Sequence, residues 1–97
     1  MVEINIVVSQ VRVIFSGRVQ GVWFRAFTRE KAIEAGITGW VKNLPDGSVE
    51  ALFEGDEETL KNVIEKCRQG PPSARVESIE VTWAQATGAF DTFEIRY

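Results

Sequence analysis

Two stretches of helical periodicity, 22–35 and 56–69, are separated by a strand–turn–strand segment and flanked on both sides by strand patterns. In the first stretch Phe24, Phe27, Thr28, Ala32 and Ala35 fall near one face, and Gly36 supplies a stop. In the second, Leu60, Val63, Ile64 and Cys67 recur at helical spacing. Asp56 stands where an N-cap is wanted, and Gly70-Pro71-Pro72 ends the run. Ahead of the first helix, Val11, Val13 and Phe15 alternate with Arg12, Ile14 and Ser16, the two-residue period of a strand with one buried face. Segments 37–43 and 49–54 read as strands, joined through Leu44-Pro45-Asp46-Gly47, which carries Pro, Asp and Gly in the order of a tight turn. From 76 to 83, Ile79, Val81 and Trp83 alternate against Ser78, Glu80 and Thr82, and a short strand closes the chain over 92–97.

Strand, helix, strand, strand, helix, strand, with one strand more, is an α+β order. Right-handed crossovers then place both helices on one face of a mainly antiparallel sheet, with the first and third strands central: a ferredoxin-like two-layer sandwich. Ninety-seven residues suffice for one such core and leave no room for a separate substrate domain. Residues 1–10 read as an N-terminal extension and 11–97 as the domain. The apolar Ile6, Val7 and Val8 are alternatively an extension of the first strand or a partner for a sheet edge.

Composition removes several function classes. The net charge of −3 argues against general affinity for nucleic acid or anionic membrane. With Cys67 as the single cysteine there is neither an intrachain disulfide nor a thiolate cluster for zinc, and with no histidine there is no histidine-based triad or phosphohistidine. No apolar run is long enough to span a bilayer, and the N-terminus lacks a basic n-region. A cytoplasmic monomer is expected, with no cofactor and no metal. The acidic run Asp56-Glu57-Glu58 reads as a cap with favourable first-turn charges, and Cys67 as a small core residue.

The junction between the first strand and the first helix, Gly17-Arg18-Val19-Gln20-Gly21-Val22-Trp23-Phe24-Arg25, has the make-up of an oxyanion cradle. Glycines let successive backbone N–H groups converge, and a helix start adds unpaired donors and a positive dipole end. It is not a Walker A loop, since no Gly-Lys-Ser or Gly-Lys-Thr follows, nor a dinucleotide fingerprint, since the third glycine is missing. A cation such as Arg25 in a first helical turn is disfavoured by roughly 0.3–1 kcal/mol. Its placement asks for a bound anion or for a side chain that reaches water. Arg12, Arg18, Arg25 and Arg29 all fall between Ile4 and Arg29, where there is no Asp or Glu. Asn43, at the end of the second strand, is by its position a turn residue.

Together, Gly17 to Arg25 and the segment Gly39-Trp40-Val41-Lys42-Asn43-Leu44-Pro45-Asp46-Gly47-Ser48-Val49-Glu50 closely resemble the acylphosphatase family. The likeness continues through Gly70-Pro71-Pro72-Ser73-Ala74-Arg75-Val76 and Phe93-Glu94-Ile95. The resemblance implies a hydrolase that splits the carboxyl-phosphate bond of a small-molecule acyl phosphate into a carboxylate and inorganic phosphate. It implies that Arg25 binds the phosphoryl group, that Asn43 holds the attacking water, and that Gly17, Arg18, Val19, Gln20, Gly21 and Val22 form the phosphate loop. Leu44 stands where some animal members carry a hydroxyl residue. Trp23 occupies a position that varies in the family, and either lines the acyl side of the pocket or packs.

The chemistry suits the residues at hand. A carboxylate leaves as a stable anion, so no general acid is required and the missing histidines are no obstacle. What remains is to neutralise charge on the phosphoryl oxygens and to hold a water in line with the breaking bond. A non-catalytic anion-binding module of the same fold is the alternative. An RNA-binding domain ranks behind both: it wants paired aromatics on a basic sheet face, whereas Phe15 and Phe53 are in the phase of the core.

Overall fold

Alternation gives every strand an apolar face that must be covered, and the computed structural model, which describes residues 8–97, shows what covers it. Strands β1 (Val8–Arg18), β2 (Thr38–Asn43), β3 (Val49–Asp56), β4 (Arg75–Gln85) and β5 (Phe93–Arg96) form one sheet in the order β4-β1-β3-β2-β5. Helices α1 (Phe24–Glu34) and α2 (Glu57–Gln69) close over one face of it. All pairings are antiparallel except β2 with β5, which is parallel. This is the expected ferredoxin-like βαββαβ sandwich plus a short C-terminal strand, with β1 and β3 central. Among the described residues no helix is long and apolar enough to cross a membrane.

Several boundaries differ from the sequence expectation: β3 and β4 run on to Asp56 and Gln85, past the expected 54 and 83, and two further shifts have a clear local cause. The first helix starts at Phe24 rather than at 22, because Trp23 has φ 67° and ψ 14°, off the helical path. Strand β1 begins at Val8 rather than Val11: Ser9 and Gln10 continue the ladder opposite Gly55 and Glu54 on β3 and opposite Gln85 and Ala84 on β4. Hydrogen bonding to two neighbours holds these polar residues in a strand that side-chain alternation does not reveal. Residues 1–7 of the expected extension lie outside the described residues.

The core is built in rows that run across the sheet. Val11, Phe53, Gly39 and Phe93 are paired in one row, Val13, Ala51, Val41 and Ile95 in the next, and Phe15, Val49 and Asn43 in the third. Phe24, Thr28 and Ala32 of α1 and Leu60, Val63, Ile64 and Cys67 of α2 are buried above them. The first row shows why glycine stands at position 39. Phe53 and Phe93 flank it on either side and stack over it, centroids 5.5 Å apart and planes 20° apart. A methyl group there would overlap the Leu52 carbonyl oxygen, and φ is 136°, a region L side chains rarely adopt. The ends of α2 follow the sequence signals: Asp56 Oδ2 accepts from the Thr59 N–H at 3.1 Å, and Gly70 forms the C-cap. Glu57 pairs with Lys61 at 3.4 Å, so the acidic run is spent on the helix itself. Burial pushes the Cys67 thiol up to about 12, leaving it an inert core residue.

The other sheet face is polar and carries its own connections. Glu50 pairs with Arg12 at 3.1 Å and with Lys42 at 3.7 Å, and Trp40 lies beneath Lys42 and Arg96. On edge strand β4, Ile79 packs against the core but Val81 and Trp83 stay exposed, because the helical layer does not extend over them. The buried Glu54 on β3 organises the long crossover from β4 to β5. Its carboxylate accepts from Gln10 Nε2 at 2.7 Å, from the Thr87 N–H at 2.9 Å and hydroxyl at 2.8 Å, and from the Gly88 N–H at 3.0 Å. Burial pushes this carboxyl up, but the bonds from Thr87, Gln10 and Gly88 outweigh it and hold it below the usual Glu range.

Two stability predictions follow from these contacts. Gly39→Ala is expected to cost about 3 kcal/mol or more, from overpacking against backbone and from strain at positive φ, read as a lower urea midpoint. A carboxyl depressed on folding contributes stability that is present above its unfolded pKa and lost as pH falls through its folded one. Glu54→Gln is therefore expected to destabilise by about 2 kcal/mol at neutral pH. The gap to the parent should close in acid, when urea unfolding of both proteins is followed from pH 7 down to pH 3.

Candidate active site

At the end of the third core row the chain leaves β1, and here the site is assembled. A β-bulge between Ser16 and Gly17 shifts the β1–β4 register. Gly17 has φ 126°, and a side chain there would collide with the Arg75 carbonyl oxygen. The bulge turns the chain out of the sheet into the loop. On the far side, Phe24 returns to the core and meets Phe15 edge to face, with centroids 5.0 Å apart. The loop is therefore pinned at both ends by one aromatic contact, while Val19 and Val22 tuck beneath it, buried.

Two side chains fasten this loop to the rest of the fold. Gln20 Nε2 donates to the Leu44 and Ser48 carbonyl oxygens, each at 2.8 Å, tying the loop to the β2–β3 turn that follows Asn43. The turn is itself closed by Leu44 N–H to Ser48 O at 2.9 Å and by Asp46, whose carboxylate accepts from both the N–H and the hydroxyl of Ser48. Those Ser48 bonds hold the Asp46 carboxyl below its ordinary range. From the other side, the Ser73 hydroxyl donates to the Val22 carbonyl at 3.1 Å.

A cleft of about 340 Å³ opens between the loop, the start of α1, the end of β2 and β5, lined by Val19, Gly21, Trp23, Phe24, Arg25, Ala26, Asn43, Ile95 and Tyr97. Asn43 faces it because Gly39, Val41 and Asn43 share the helix-side face of β2. Its Oδ1 is buried and has no hydrogen-bond partner among the described residues. Arg25, half-buried in the first turn of α1, has its guanidinium 4.9 Å from the Tyr97 ring centroid and no carboxylate partner among the described residues. The two helices contrast at their N-termini. Asp56 caps α2, whereas among the described residues α1 has no side-chain cap, and it has no acidic residue in its first turn. The amide donors and positive end of α1 are thus not taken up by a side-chain cap at its N-terminus.

The expected site residues take different places. Arg25, Asn43, Val19 and Gly21 line the cleft. Gly17 and Arg18 are in the β1–β4 ladder opposite Val76 and Arg75, Gln20 turns to the hairpin, and Val22 faces the core. Of the four clustered arginines, Arg25 alone lines the cleft. Arg12 pairs with Glu50, Arg29 Nε donates to the Phe93 carbonyl at 3.3 Å, and Arg18 is exposed. Ile95 and Tyr97 also line the cleft, a place that the sequence pattern alone does not assign to them. Their two-residue period with Phe93 was a signal that one face of the last strand points at α1.

Comparison with known proteins agrees with the geometry. The acylphosphatase family model matches residues 11–95. An acylphosphatase from Rubrobacter xylanophilus is 53% identical over 91% of this chain and 80% of its own length. One from Pelotomaculum thermopropionicum is 45% identical over 92% of this chain and 97% of its own. The crystal structure of acylphosphatase from Bacillus subtilis superposes with a TM-score of 0.89 at 42% identity, covering 92% of this chain and 99% of that one. With a family model matched over residues 11–95 and the fold and most of the length in common with these relatives, this chain belongs to the acylphosphatase family.

Proposed function

We propose that this acylphosphatase, a hydrolase acting on acyl phosphates, works by in-line attack of a water held by Asn43 on a phosphoryl group gripped by Arg25 and the loop. The observation that carries this reading is the convergence of Arg25, Asn43 and the uncapped start of α1 on one cleft. The planar guanidinium can take two phosphoryl oxygens bidentately. Backbone N–H groups about Gly21 and the helix start take the others, and they need no reorganisation as charge shifts toward the leaving oxygen. Gly17, Arg18, Gln20 and Val22 act within the loop by shaping it rather than by lining the cleft.

Asn43 supplies an unspent amide oxygen to accept a water O–H, directing the water lone pair at phosphorus. An amide does not act as a base, so the water proton passes to a phosphoryl oxygen of the substrate. The water oxygen bonds to phosphorus, the bond to the acyl oxygen breaks, and its electron pair leaves with the carboxylate. The products are the carboxylate and inorganic phosphate. Every group in this scheme belongs to the chain or the substrate, so turnover should persist in chelator.

Hydrolysis of an acyl phosphate by the purified protein in chelator tests the scheme. Arg25→Lys keeps charge but loses the fork, and Asn43→Ala loses the water; each is expected to lower kcat/KM by about 100-fold or more. Near-normal turnover in either variant would remove that residue from its role. A parent no faster than buffer that still binds phosphate would instead describe a binding module. Gln20→Ala, which unties loop from hairpin, should lower kcat by about tenfold through misalignment of Arg25 and Asn43, with phosphate affinity less affected.

A further inference from the structure

The sheet has two edges, and they are built differently. At one, β5 is four residues long and pairs in parallel with β2. At the other, β4 runs for eleven residues, and its outer main-chain groups meet no strand among the described residues. A long free edge is a template for another strand, and proteins ordinarily blunt it with proline, lysine, a bulge or an inward charge. None of these falls within 78–85, which reads Ser-Ile-Glu-Val-Thr-Trp-Ala-Gln and pairs with β1 in unbroken register. The irregularity of β4 is confined to the bulge opposite Ser16 and Gly17, where regular pairing stops. Glu80 carries the single charge of the stretch, and it lies on the polar face with Ser78 and Thr82.

The other face of this edge is apolar and incompletely covered. Ile79, Val81 and Trp83 pair with Phe15, Val13 and Val11, which belong to the three core rows. Val81 is nevertheless 38% exposed and Trp83 41%. The core rows therefore run out at β4 with apolar surface still in water. A strand laid along the edge would extend both the hydrogen-bond ladder and the rows.

We infer that this edge is an interface for a second copy of the chain, β4 pairing antiparallel with β4 about a two-fold axis at Val81, so that one sheet continues across both copies. The segment is complementary to itself in that register. Val81 meets its own counterpart, Ile79 meets the partner's Trp83, and Glu80 meets the partner's Thr82. Each core row then continues into a core row of the other copy: Val11 and Trp83 are followed by the partner's Ile79 and the partner's Phe15. On the polar face Arg12, whose side chain is 56% exposed, stands across Thr82 from the partner's Glu80, an unlike charge. Within one copy Glu80 has no cation partner among the described residues.

Neighbouring registers lose this match. Centring on Glu80 sets two carboxylates against each other, and centring on Ile79 sets Val81 against Glu77 and Trp83 against Arg75. Centring on Thr82 leaves Ile79 against Gln85. Pairing from Ser78 to Ala84 supplies about seven main-chain hydrogen bonds, one per residue pair, within the range of a specific interface. The contact is isologous and uses up the free edge, so assembly stops at two, in place of the monomer expected from the sequence. No residue of β4 lines the cleft, which stays open in the dimer.

Sedimentation velocity of the full chain over a concentration series tests the inference. The parent is expected to pass from the mass of one chain to that of two as concentration rises, and to go no further. Val81→Lys and Val81→Glu each place like charges at the two-fold axis and should weaken dimerisation about tenfold or more. An equimolar mixture of these two variants should recover association as a heterodimer, because Lys then faces Glu. Glu80→Lys, which leaves the apolar row intact, should weaken dimerisation about threefold. All three should hydrolyse an acyl phosphate as the parent does, which reports that they are folded and separates this outcome from any failure of the hydrolase scheme. A parent that stays a single chain at every concentration overturns the inference, as does growth beyond two chains. Association that survives the Val81 variants, or a mixture that associates no better than either variant alone, overturns it as well by placing the contact elsewhere.

Discussion

Val49 is the point on which the site depends. It pairs with Phe15 of β1 on one side and with Asn43 of β2 on the other, so the last core residue before the loop and the residue at the end of the hairpin stand in one row of the sheet. Two strand spacings, about 10 Å, separate them. That is the scale of a cleft that can hold a phosphoryl group and a water. A slip of one residue in β2 against β3 would send Asn43 to the polar face and bring Lys42 to the core. The buried alternation of Gly39 and Val41, with Phe53 and Phe93 closing over the glycine, makes such a slip costly. The geometry of the cleft is therefore enforced by apolar packing remote from it.

Polar side chains then set the position of the backbone. Gln20 joins loop to hairpin and Ser73 joins the segment after α2 to the loop. Glu54 holds the crossover that delivers β5, and with it Ile95 and Tyr97, to the rim. These groups bond mostly to main chain, which fixes the path of a loop better than contacts between two mobile side chains. The exposed ion pairs of the helices, such as Arg68 with Glu65, contribute little to this arrangement.

Much of this was legible beforehand. Seven elements, their order, the central place of β1 and β3, the cap at Asp56 and the core faces of both helices follow from periodicity and local chemistry, because covering an apolar face leaves few topologies; Phe27 is the exception, only partly buried and lying beneath Lys31 rather than in the core. The misplaced start of α1 has a local cause with a nonlocal origin. Val22 and Trp23 are compatible with helix by composition, but burial of Val22 and the contact of Phe24 with Phe15 draw the chain into a left-handed turn at Trp23. The early start of β1 was hidden because Ser9 and Gln10 carry no apolar signal and are held by the ladders on either side.

The fold class, the glycine-punctuated junction and its resemblance to a phosphate loop are readable from sequence, since periodicity, turn residues and motif spacing are local properties. Tertiary packing sets which of four neighbouring arginines reaches the cleft, that Asn43 faces it with an acceptor unpaired among the described residues, and that Trp23 and Tyr97 stand at its rim. Each of those outcomes depends on strand register, on a bulge and on a crossover that brings distant segments together. Such long-range placement is set by how the faces pack, and no window of the sequence contains it.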